Sequence, residues 1–187
     1  MKYTFIKLIV CLSLMVSCDT DKKVDPFEIR KHHVGQLTDS TEVSELKTIF
    51  ANDSIVSAIK GDEFLGENND IEIFDKEGNK LLVLTPSQAL DSTAVVKTIQ
   101  IMDGRYKTAK NISTASTFGD IKNNYKISKV NNLINSIVVS VNEINAAFTI
   151  DKKELPSNLR YGDMDMIIDP VQIPDQAKIK YFMLNWQ

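Results

Sequence analysis

Two pairs of short apolar runs, each pair joined by a few turn-forming residues, most constrain what this chain can fold into. IEIF at residues 71 to 74 faces KLLVLT at 80 to 85 across Asp75, Lys76, Glu77, Gly78 and Asn79, and Gly78 supplies the positive φ that a tight turn wants. SIVVSV at 136 to 141 faces NAAFTI at 145 to 150 across Asn142, Glu143 and Ile144. Strand side chains alternate between two faces, so each hairpin turns one apolar face to a core and the other to water. Further strands are predicted at Ser54 to Ile59, Val95 to Met102 and Lys178 to Trp186. Pro156, Pro170 and Pro174 break up the stretch between the second hairpin and the last strand.

Residues 37 to 55 can be laid on residues 112 to 130 at one constant offset. Leu37 falls on Ile112, Thr38 on Ser113, Thr41 on Ser116, Val43 on Phe118, Glu45 on Asp120, Leu46 on Ile121, Phe50 on Tyr125 and Ile55 on Val130, with matches that are mostly chemical. In each copy a hydroxyl residue, Thr41 or Ser116, is placed to cap a short helix, with Glu45 or Asp120 in its first turn where the helix dipole favours negative charge. Val43, Leu46 and Phe50, like Phe118, Ile121 and Tyr125, recur at helical steps and present one stripe to a sheet.

Strands outnumber helices, and helices interrupt pairs of strands. The predicted class is therefore α+β, an antiparallel sheet with short helices packed on one face, built from two tandem helix-plus-hairpin pseudo-repeats over about residues 27–93 and 94–187. That tandem shape resembles the architecture of the β-lactamase-inhibitor-protein and small outer-membrane-assembly lipoprotein group, although none of its sequence motifs occurs here.

The N-terminus reads differently. Lys2 and Lys7 precede the apolar stretch Leu8 to Val16, followed by small Ser17 and then Cys18, before any acidic residue. The apolar run is far shorter than the roughly 20 residues that cross a bilayer. Met15-Val16-Ser17-Cys18 resembles the lipobox of bacterial lipoproteins, with a mild departure because Leu14 sits one place early. The resemblance implies removal of residues 1–17 and lipidation of Cys18, a flexible tether over 18–25 and a globular domain over 26–187. Cys11 leaves with the signal, so the mature chain keeps one blocked cysteine and forms no disulfide. The implied location is the cell envelope, on the outer rather than the inner membrane, held through the lipid anchor at Cys18. The start of the tether, Asp19 to Lys23, leaves the membrane face open.

The chain has 22 basic and 25 acidic residues, and loss of Lys2 and Lys7 makes the mature form more acidic. An acidic chain without a long basic run argues against nucleic acid as a partner. Candidate chemistry is sparse. His32 and His33 are the only histidines, and neighbours on an extended segment point apart, which argues against one shared metal ion. Asp163, Asp165 and Asp169, with Gly162, lie on one loop but lack the spacing of a calcium site, so no metal or other cofactor is expected. Neither Gly-x-Ser-x-Gly, His-Glu-x-x-His nor a phosphate-cradling glycine loop occurs, so no catalytic residue is assigned. An acidic pair of the glycosidase kind stays open, since only spatial separation would reveal one.

Asp39-Ser40-Thr41, Asp53-Ser54-Ile55 and Asp91-Ser92-Thr93 resemble the O-glycosylation acceptor of Bacteroidota envelope proteins, which implies modification at Ser40, Ser54 and Ser92. At the C-terminus, Tyr181, Phe182 and Trp186 interleave with Leu184 and read as a half-buried strand entering the core rather than an exposed binding edge. The expected function is that of a membrane-anchored envelope lipoprotein, a non-catalytic protein-interaction or structural module with an envelope protein as partner. Two alternatives stand beside it: binding of a small ligand or glycan, and inhibition of an envelope enzyme in the manner of an immunity protein.

Overall fold

The structure, a computed structural model, describes residues 25–57, 69–161, 163 and 165–186. Three short strands open it, β1 (Glu28–Arg30), β2 (His33–Val34) and β3 (Leu37–Thr38). A 3-10 turn at Val43–Glu45 runs into α1 (Leu46–Ile49), followed by β4 (Ser54–Ser57), β5 (Ile71–Phe74), β6 (Lys80–Pro86), β7 (Val96–Ile101) and β8 (Lys107–Thr108). Then come α2 (Phe118–Asn124), β9 (Lys129–Asn132), β10 (Ser136–Val141), β11 (Ala146–Asp151), α3 (Ser157–Arg160) and β12 (Ile179–Asn185).

Eight strands form one antiparallel sheet in the order β4-β5-β6-β7-β12-β11-β10-β9. The remaining four form a small sheet, β3-β2-β1-β8, antiparallel except for the parallel pairing of β1 with β8. The fold is α+β, as the strand-rich pattern predicts.

A single lateral row shows why alternation dictates this sheet. Ile55, Ile73, Leu82, Ile101, Phe182, Phe148, Val139 and Val130 pair in turn across all eight strands. The inner members are buried, and only Ile55 and Val130 at the two edges are half-exposed. One residue along, Val56, Glu72, Val83, Gln100, Met183, Ala147, Ser140 and Lys129 form the facing row, all exposed or half-buried. Leu46 of α1, Phe118 and Ile121 of α2 and Ile29, Val34 and Leu37 of the small sheet join the same core. Each such side chain contributes about 1.5–3 kcal/mol on burial. Phe148 and Phe182 meet at its centre, with ring centroids 4.5 Å apart.

The first hairpin turns as expected: Gly78 has φ 83°, and Asp75 accepts the Asn79 and Glu77 N–H groups through Oδ1 at 2.8 and 3.2 Å. In the second, Asn145 takes φ 53°, which ends the turn and starts β11 at Ala146 instead of Asn145. β4 is described over Ser54–Ser57, and residues 58 and 59 of the predicted strand lie outside the described residues.

The predicted caps need correction. Thr41 Oγ1 accepts the Thr38 N–H at 2.8 Å and Ser116 Oγ accepts the Ser113 N–H at 3.1 Å, so both hydroxyls close the preceding turn. The caps fall one residue later. Glu42 donates its N–H to Glu45 at 2.8 Å, and Thr117 donates its own to Asp120, also at 2.8 Å. Each helix start is stitched to the segment leading into β7 or β12. Val43 and Ser44 donate to the carbonyls of Ala94 and Ser92, and Phe118 and Gly119 donate to those of Ala177 and Asp175.

β12 lies mid-sheet, so Phe182 and Leu184 are core residues, while Tyr181 on the other face is exposed. Trp186 is also buried, its Nε1–H donating to Lys31 O at 3.1 Å and tying the small sheet to the large one.

Candidate functional site

Cys18 and the whole signal segment lie outside the described residues. Ser40, Ser54 and Ser92 are all exposed, as enzymatic modification requires. His32 bonds Asp39 through Nδ1 at 2.7 Å, while His33 sits on β2, so the two histidines take separate places. Asp163 and Asp165 are exposed, and Asp169 accepts the Val171 N–H at 2.9 Å as the cap of a 3-10 turn at Pro170–Gln172. Gly162 lies outside the described residues. Among the described residues no three His, Cys, Asp or Glu side chains stand close enough to hold a metal ion.

Two regions gather polar and apolar groups. The first is a cleft of about 150 Å³ between the small sheet and the β5–β6 turn, lined among others by Phe27, Phe50, Asp53, Asp75, Arg105 and Tyr106. Arg105 dominates it. One guanidinium nitrogen lies 2.6 Å from Asp75 and 2.8 Å from Asp103, while Nε reaches Asp103 at 3.0 Å. The guanidinium covers the Phe27 ring at 5.0 Å, and that ring meets Tyr106 edge-on, also at 5.0 Å.

Burial alone would raise the Asp75 carboxyl, but hydrogen bonds from Arg105 and from the Asn79 backbone and amide hold it below the usual carboxylate range. The Arg105 hydrogen bond likewise lowers Asp103. Burial, with the charges of Asp53 and Asp103, pushes the Tyr106 phenol up, so it stays protonated. Asp75 and Asp103 are thus committed to one cation. The arrangement clamps the loop after β7 onto the β5–β6 turn.

The second region surrounds the β9–β10 turn. Ile134 is 71 % exposed, Tyr161 81 % and Ile167 92 %, and Leu133 is half-exposed. Asn132 positions the loop that carries Ile167, donating through Nδ2 to the carbonyls of Asp163 at 2.9 Å and Met166 at 3.2 Å. Two open grooves of about 540 and 560 Å³ flank the turn, one beside Leu133 and Ile167 and the other beside Ile134 and Tyr161. The latter is rimmed by Lys152, Lys153, Arg160 and Lys180 with Asp151. The sequence pattern missed this region because Leu133 and Ile134 read as apolar residues beside a strand, and their exposure follows from the turn between β9 and β10.

No protein-family model matches the chain, and no curated protein matches it. Among solved structures, the chain is similar to the uncharacterized protein yfeY from Escherichia coli, with a TM-score of 0.54 and 14 % identity. The match covers 84 % of this chain and 99 % of that one. At that identity the likeness concerns the fold alone.

Proposed function

We propose that this protein is a lipid-anchored component of a bacterial cell envelope whose domain binds another envelope protein and catalyses no reaction. The observation that carries the reading is the gathering of Ile134, Tyr161 and Ile167, all more than two-thirds exposed, around one turn. Apolar side chains scattered singly over a surface need no explanation, whereas exposed ones grouped in grooves on either side of one turn, Leu133 with Ile167 and Ile134 with Tyr161, mark a contact site. Acyl chains on Cys18 anchor the protein, each buried methylene adding about 0.8 kcal/mol of membrane affinity. The outer membrane is the proposed site of attachment.

The same reading treats the domain as two tandem units. Its support is the recurrence, at the constant offset of the two sequence stretches, of the Thr38–Thr41 and Glu42–Glu45 bonds at Ser113–Ser116 and Thr117–Asp120. The strand order also reads the same from either edge inward, β4-β5-β6-β7 and β9-β10-β11-β12, with β7 and β12 meeting in the middle. The joint then falls after β7 and not at residue 93.

A photo-cross-linking residue placed at Ile167, compared with one at exposed Ser92, tests the contact in native membranes. Capture of one defined protein from position 167 alone, lost when Cys18→Ser releases the chain, is the expected result. Equal capture from both positions, or none from either, sinks the proposal.

A further inference from the structure

We propose that the groove between Ile134 and Tyr161 receives an acidic peptide segment of the partner protein, whose carboxylates meet Lys152, Lys153, Arg160 and Lys180. The inference rests on the protein-contact reading above and names the chemistry of the partner.

The charge balance of the groove departs from that of the chain. Basic residues are outnumbered 22 to 25 over the whole sequence, yet four cations rim this groove with one carboxylate, Asp151. Asp151 divides its charge, standing 3.6 Å from Lys153 and 3.5 Å from Lys180 while also accepting the Lys153 N–H at 3.0 Å. Glu154, the next acid along, is not part of this groove's lining; it lies in an adjoining one with Lys153 and Lys180, where it accepts the Lys178 N–H at 3.3 Å. Lys152 is 5 % exposed and has no carboxylate within 4.0 Å among the described residues. A lysine whose stem is packed away and whose charge has no carboxylate partner gains from an incoming anion, because little side-chain freedom is left to lose on binding.

Arg160 is held ready in the same way. Its Nη2 donates to the carbonyls of Lys153 at 2.8 Å and Leu155 at 3.0 Å, which fixes the guanidinium plane. Its Nε is buried with no partner among the described residues. Fixed cations bind at less entropic cost than free ones. The backbone beneath is braced too, since the Lys152 N–H donates to Asn135 O at 3.0 Å and ties this segment to the β9–β10 turn.

The shape selects a segment over a small molecule. Enclosed pockets bury most of a small ligand, whereas this groove of about 560 Å³ is open to solvent. Exposed Ile134 and Tyr161 at its rim suit an apolar side chain set among acids, and tyrosine is a frequent energetic centre of protein contacts.

The test titrates the full chain, purified from membranes in non-ionic detergent, into a fluorescein-labelled peptide of glutamates interrupted by a leucine and a phenylalanine, and reads anisotropy. Binding that weakens with added salt, and falls about tenfold or more in Lys153→Glu/Lys180→Glu, is expected. Lys153 and Lys180 are exposed, and the milder Lys153→Gln/Lys180→Gln serves if the reversed pair fails to fold. Unchanged affinity in the variants, or equal binding of a lysine peptide, overturns the inference. So does displacement of the peptide by inorganic phosphate at equal concentration, which would mark a small-anion site. Sedimentation with phosphatidylglycerol vesicles through the same lysines, without peptide binding, overturns it in favour of a membrane surface. If the variants still cross-link the partner from position 167, the protein contact stands and only this groove's role falls. If peptide binding holds while that cross-link never forms, the proposed function falls and the groove chemistry stands.

Discussion

At the β5–β6 end of the sheet, Arg105 bridges Asp75 and Asp103 and lies on Phe27; at the β9–β10 end, Ile134 and Tyr161 face water in a groove of four cations and one carboxylate, and Ile167 faces water beside the other groove. Both ends close the same core with the same antiparallel pairing, so the difference is not imposed by the sheet. One end satisfies its polar and apolar groups internally and the other leaves them for something outside the chain. A surface that costs stability without repaying it within the fold is where a contact is to be sought.

The strongest test of the common core is Phe148→Ala. Phe148 is fully buried against Phe182 at mid-sheet, and its loss costs about 3–5 kcal/mol in urea unfolding. Hydrogen exchange should quicken at both ends together. Quickening confined to the strands from β9 to β12 would show two separately folding parts and break the comparison.

Next in size is Gly119→Ala. A Cβ at Gly119 would stand 2.9 Å from Asp175 Cβ and 3.0 Å from its carbonyl oxygen, against backbone that cannot swing aside. At the other end Ser44 makes the corresponding bond to Ser92 O at 2.9 Å with a side chain in place, against 2.8 Å for Gly119 to Asp175. A loss of about 1–3 kcal/mol is expected, outweighing the roughly 1 kcal/mol that alanine gains over glycine in a helix. A gain in stability would mean that the two helix entries are interchangeable.

The core was legible in the sequence and the rim was not, for a physical reason. Alternation forces Ile71, Ile73, Ile137, Val139 and Val141 onto one face whatever lies beyond, so the hairpins follow from residue order alone. The short strands β1, β2, β3 and β8 carry two or three residues each, too few for any period to register, and their pairing is set by tertiary contacts. β9, reading KVNN, is held as a strand by its pairing with β10 and not by propensity. The caps were misplaced by one residue because Thr41 and Ser116 had another donor within reach. The basic groove draws Lys152, Arg160 and Lys180 from three elements, so no local run of charge announced it.

The clamp is tested by acid. Asp75 and Asp103 titrate below the ordinary carboxylate range, so the unfolded chain binds their protons first and the clamp stabilises above about pH 4. That contribution is lost as pH falls through the lowered values. Arg105→Leu should therefore lower the melting temperature near neutrality, with the gap to wild type narrowing as pH drops below about 4. A gap that stays constant through that range would remove the carboxylates from the account and leave only the packing on Phe27.

The smallest stability effect belongs at the exposed rim, and it decides what the comparison means. Ile167→Ser removes a side chain that is 92 % exposed, so urea unfolding should move by no more than about 0.5 kcal/mol in either direction. A residue kept for the fold would show a larger loss, since burial is where an isoleucine contributes. A near-zero change in unfolding, together with loss of the specific capture from a cross-linker at Ile134 on the β9–β10 turn, separates contact from folding at one residue. Loss of stability instead would place Ile167 in the fold itself, and the contrast between a self-satisfied end and an outward-facing one would have to be redrawn around Tyr161 and the lysines alone.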